Sequence, residues 1–182
     1  MFIESPSSGY KAEVNEENRI MAESVSYTST HHTNHHEGKA YSFRTSVTPT
    51  AAGDCFAYIT NNDELDMMID MFIVSATTDE TILVKLGDEG TPAGGSTSTL
   101  INLNAGSGNE ADVTAETGVD ITGLSGGSEC CGFFMEGGRS TTPISIPPSL
   151  IIPKNKTISF YVETGGIAVR LGALVTFHSS TH

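Results

Sequence analysis

From Lys39 onward the chain repeats one pattern. Short apolar runs with a period of two are each closed by Gly, Pro, Asn or Asp. Successive side chains of a strand leave opposite faces, so this alternation marks half-buried strands and leaves no room for a helical bundle. "AYSFRTSV" stops before Pro49, and "DCFAYIT" stops at Asn61 and Asn62. "LDMMIDMFIVSAT" sets Leu65, Met67, Ile69, Met71 and Ile73 on one face against Asp66, Met68 and Asp70 on the other. "TILVKLG" aligns Ile82, Val84 and Leu86, and "STLINLNAG" opposes Ile101 and Leu103 to Asn102 and Asn104. "CCGFFMEGG", "PISIPPSLIIP", "KTISFYVET" and "GIAVRLGALVTFH" complete the series, with Ile158, Phe160 and Val162 turned inward in the third. Many short strands without helical crossovers predict an all-β, antiparallel β-sandwich, and two packed four-stranded sheets suit a jelly roll. The Gly-rich connections 87–98 and 117–129 are longer than hairpins and are expected at the ends of the sandwich, where partners are met.

Residues 1–38 carry few apolar side chains and no sustained period. Such a segment cannot bury enough surface to fold alone, so it is read as an extended N-terminal arm ordered by neighbouring chains, ahead of a sandwich domain at 39–182. At about 3.3 Å per residue it reaches about 125 Å.

The formal net charge is −13. That repels phosphate backbones and argues against nucleic acid as a partner. The charge is uneven: between Thr45 and Gly138 Lys85 is the only base, whereas Arg139, Lys154, Lys156 and Arg170 follow with Glu163 as the only acid. Neither a signal peptide nor an apolar run of about 18 residues is present, so no membrane span is expected. Cys55, Cys130 and Cys131 make an odd set without zinc spacing. Adjacent cysteines of a regular strand point to opposite faces, so they are expected to act as small buried hydrophobes.

Four of the six histidines crowd into "HHTNHH". In an extended chain His31 shares a face with His35 and His32 with His36, and imidazole is a common transition-metal ligand. His31, His32, His35 and His36 are therefore the candidate metal ligands. One arm offers no carboxylate nearby except Glu37, so a closed site needs copies meeting on a symmetry axis. "GLSGG" matches GxSxG with Ser125 in the nucleophile position, but "SECCGFFMEGG" follows as loop and strand where a helix is required. Asp63, Glu64, Asp66 and Asp70 lack the calcium-loop pattern and are expected on a solvated face. "NKT" at 155–157 fits a glycosylation sequon, which matters only in a secreted eukaryotic protein. No catalytic residue and no cofactor is assigned.

"SGYKAEVNEENRIMAESVS", "EGKAYSFRTSVTPT", "FAYITNNDELDMMIDMFIV" and "IIPKNKTISFYVETGG", in that order, resemble small virion structural proteins of tailed bacteriophages. The likeness runs from about Gly9 to Phe177. It implies a non-enzymatic virion component, a capsid cement or decoration protein that bridges neighbouring shell subunits. It also implies a homo-oligomer, expected as a trimer, with the major capsid protein or other virion proteins as partners, and assembly onto the virion in the host cytoplasm. The alternative is a tail, baseplate or fibre-associated module that binds a host surface through the Gly-rich loops.

Overall fold

The computed structural model describes residues 2–4, 11–14, 20–21, 29–137 and 143–178. Strands β1 (Phe2–Glu4), β2 (Lys11–Val14) and β3 (Ile20–Met21) pair as a small antiparallel sheet. The rest of the expected arm at residues 1, 5–10, 15–19 and 22–28 lies outside the described residues. Helix α1 (Ser29–His32) then runs into a π turn (Thr33–Glu37).

The body begins with β4 (Ala40–Val47), β5 (Cys55–Asn61), β6 (Asp66–Ala76) and β7 (Glu80–Leu86). An insertion follows, with β8 (Glu89–Ala93), β9 (Ser96–Thr97), β10 (Ile101–Asn102), β11 (Val113–Thr117) and β12 (Thr122–Ser125). The chain closes with β13 (Ser128–Met135), β14 (Pro143–Ile152), β15 (Thr157–Val162) and β16 (Val169–His178). A five-stranded sheet has the order β10-β4-β16-β6-β14, and a six-stranded sheet the order β13-β7-β15-β5-β11-β9. Their pairings are antiparallel, and the two sheets form an all-β sandwich.

The core lies between these sheets. Phe43, Phe56, Phe72, Phe160 and Phe177 are fully buried within it, and Phe72 meets Phe160 edge-on with ring centroids 5.5 Å apart. Aromatic pairs favour this geometry because the positive ring edge faces a negative ring face. Strand β15 follows its sequence pattern, with Ile158, Phe160 and Val162 in the core.

Strand β6 departs from its pattern. Met67 and Ile69 point inward as expected, but beyond Asp70 the buried residues are Phe72, Val74 and Ala76, while Ile73 is exposed. The cause is a register shift against β16, where Leu174 pairs with Met71 and Val175 with Ile69, leaving Asp70 as an extra residue. A one-residue bulge moves every later side chain to the other face. The Ser149 hydroxyl donates to the Asp70 carboxylate there.

The Ile101 and Leu103 assignment is also inverted. Both are exposed, and Leu100 is buried in their place. Asn102 and Asn104 instead turn toward the protein, because their side-chain amides hold the backbone of the preceding π turn.

Candidate functional site

The two Gly-rich connections do not cap the ends of the sandwich. They pair with each other as β8 and β12, and this ribbon lies over the outer face of the six-stranded sheet. Gly123, at φ 85°, makes the close crossing possible, since a Cβ there would stand 2.2 Å from the Thr91 carbonyl oxygen. Ile121 and Leu124 of the ribbon cover Cys55, Tyr58 and Tyr161, which face outward from β5 and β15. The outward row of β15 is buried for that reason.

Beneath the ribbon Asp88 is buried. Ser159 Oγ donates to its Oδ2, Tyr161 Oη donates to the same oxygen at 2.8 Å, and the Gly127 amide donates to Oδ1 at 2.8 Å. Burial opposes ionisation, but these three hydrogen bonds and the nearby Lys85 charge outweigh it and hold the carboxyl below its ordinary range. Lys85 Nζ stands 4.0 Å over the Tyr161 ring, where a cation is attracted to the π face. The sequence offers no motif for this group, because its members come from strands joined only by the fold.

Beside it a cleft of about 320 Å³ is lined by Tyr58, Thr60, Thr114, Leu124, Asn155 and Thr157, among others. The Tyr58 hydroxyl is buried and lies beside the Glu116 carboxylate. Burial, and then the Glu116 charge, push its phenol up to about 12.

The outer face of the five-stranded sheet is different. Met71, Ile73, Leu103 and Leu174 border a shallow apolar depression of about 240 Å³ floored by Gly172. Ile73 is 39% exposed and Leu103 45%. Arg44 and Arg170 are exposed on adjoining strands at its edge, and Ile101 stands nearby at 66% exposure.

The histidine cluster is helical where an extended chain was expected, with His31 and His32 in α1 and His35 and His36 in the π turn. A helical turn brings residues four apart together. His31 stacks on His35 with centroids 5.7 Å apart, and His32 lies 4.8 Å from His36. The turn is held from outside: Asn104 Nδ2 donates to the Asn34 carbonyl and Asn109 Nδ2 to the Glu37 carbonyl. Gly38, at φ 61°, ends it, and a Cβ there would collide with Ser107. Residues 34–38 are thus hydrogen-bonded to β10 and to the loop that follows it. Among the described residues no group of three or more His, Cys, Asp or Glu is placed to hold a metal ion.

Ser125 lies in β12 and pairs with Glu89, with β13 following at once, so no strand-to-helix elbow forms around it. The four acids separate: Asp63 accepts from the Leu65 amide, Glu64 pairs with Lys154, Asp66 begins β6, and Asp70 occupies the bulge. No protein-family model matches the chain, and no curated protein or solved structure matches it.

Proposed function

We propose that this chain is a non-enzymatic structural protein of a virion, a cement or decoration subunit that acts through its contact surfaces as a homo-oligomer, with a trimer as the working stoichiometry. The observation that carries this reading is the exposed apolar face of the five-stranded sheet, with Met71, Ile73, Leu103 and Leu174 beside Arg44 and Arg170. Water-facing sheet faces are ordinarily polar, and a rimmed apolar patch marks a protein contact.

The occupant we assign to this face is a second copy of the chain. Two guanidinium groups on a molecule of net charge −13 find their complement in the acidic surface of another copy. The body strands also support the jelly-roll reading. Numbered one to eight in chain order without the insertion, they lie as 1-8-3-6 in one sheet and 5-4-7-2 in the other. Jelly rolls serve viral capsid and lectin domains among others, so the fold is compatible with the reading and the face argues for it.

Two measurements test it. In purified particles, a high copy number at the outer shell supports decoration, and absence of the chain from particles sinks the reading. For the face itself, Ile73→Asp with Arg170→Glu is expected to weaken self-association about 10- to 100-fold in sedimentation experiments, as befits losing one apolar anchor and one charge contact. Unchanged association in that folded variant would remove the face from the interface.

The second reading, a tail- or fibre-associated binding module, is favoured by the cleft under the β8–β12 ribbon, lined by Tyr58, Thr60, Thr114 and Thr157. A low copy number confined to the tail would support it over decoration.

A further inference from the structure

Cys130 and Cys131 sit side by side in β13, an edge strand of the six-stranded sheet. The ladder slips at this point: Glu129 pairs with Lys85 and Cys131 with Val84, so Cys130 is the extra residue of a bulge. Bulges re-aim side chains, and here the expectation of opposite faces fails. The two sulfurs lie 3.7 Å apart, and both thiols are free. Cys130 is exposed and Cys131 half-buried, with the Cys130 thiol donating to the Val84 carbonyl at 3.4 Å.

That separation has a chemical meaning. A tetrahedral ion bonded to two thiolates at about 2.3 Å holds them about 3.8 Å apart. A disulfide would need about 2.05 Å, so the pair is reduced as it stands, and a shared ion could bind with little movement of either sulfur.

We infer that Cys130 and Cys131 form a two-sulfur chelate for a soft, tetrahedral divalent cation of the zinc and cadmium class. Binding forms two metal–sulfur bonds, breaks two S–H bonds and releases two protons to solvent, with no change in the oxidation state of sulfur. No third protein ligand joins the pair among the described residues. The two remaining positions go to water or to donors of another molecule, which an exposed edge strand leaves within reach. The inference is independent of the assembly reading.

The test is titration of the reduced full chain with cadmium alone, followed by the thiolate-to-cadmium charge-transfer band in the ultraviolet. We expect a saturable band that Cys130→Ser abolishes. Replacing His31, His32, His35 and His36 with Ala leaves it in place, because imidazole produces no such band. Saturation at one ion per chain, or at one per two chains with a second copy completing the shell, supports the site. Absence of the band, or its survival in Cys130→Ser, overturns it. Phenylarsine oxide supplies a second readout, since one arsenic bridging both sulfurs releases one water and protects both from alkylation. Cys130→Ser is expected to lose that protection, and an equally protected variant would also overturn the site.

Discussion

Phe72→Ala lowers unfolding stability by about 3–5 kcal/mol, while Ile73→Ala, one residue further along the same strand, changes it by about 1 kcal/mol or less. Phe72 is fully buried between Phe133 and Phe160, so its removal loses both the transfer free energy of the ring and the contacts around the void. Ile73 lies on the outer face and is partly hydrated already. Urea denaturation at low protein concentration, where self-association contributes little, reads both values. If Ile73→Ala costs as much as Phe72→Ala, the bulge at Asp70 is misplaced and the simple alternation of β6 is right after all.

Asp88→Ala is the second large loss, about 2–4 kcal/mol at neutral pH, because it strands the Ser159 and Tyr161 hydroxyls and the Gly127 amide beneath the ribbon. The effect depends on pH with a defined sign. Hydrogen bonding sets the folded carboxyl below its unfolded value of about 3.9, so the stability linked to its charge is fully present above that value. It is lost as pH falls through the lower folded value. The wild type and Asp88→Ala should therefore converge in acid and separate toward neutrality. Parallel stability curves across that window would show that the charge of Asp88 contributes nothing to the difference. Near-wild-type stability of the variant at pH 7 would refute the network itself.

These residues also show what the sequence can and cannot convey. The alternation of β15 and the break after β5 are local, and both read correctly because turn chemistry and a one-sided core act within a few residues. The face reversal in β6 is not local, since it depends on which residues of β16 lie opposite. The same holds for the ribbon: β8 and β12 carry few apolar residues, and their partnership arises only when the sheet beneath offers Cys55, Tyr58 and Tyr161 to cover. The Asp88 group has no spacing to recognise. The histidine turn is polar throughout and gains its helical form from amides supplied by Asn102, Asn104 and Asn109. In "STLINLNAG" the hydrophobic rule fails for a related reason: at a two-residue edge strand, hydrogen bonding by asparagine decides which side faces in.

The neighbouring positions of β4 and β16 impose an order on biosynthesis. Ala40 pairs with Thr176 and Val47 with Val169, so the first body strand made is matched to the last. At about 5–20 residues per second, β4 waits on the ribosome for several seconds or more before β16 exists. In that interval only the two-residue β10 lies beside it in the sheet. Closure of the sandwich is consequently a late, long-range event, and until it happens the apolar side of β4 stays open to neighbouring chains.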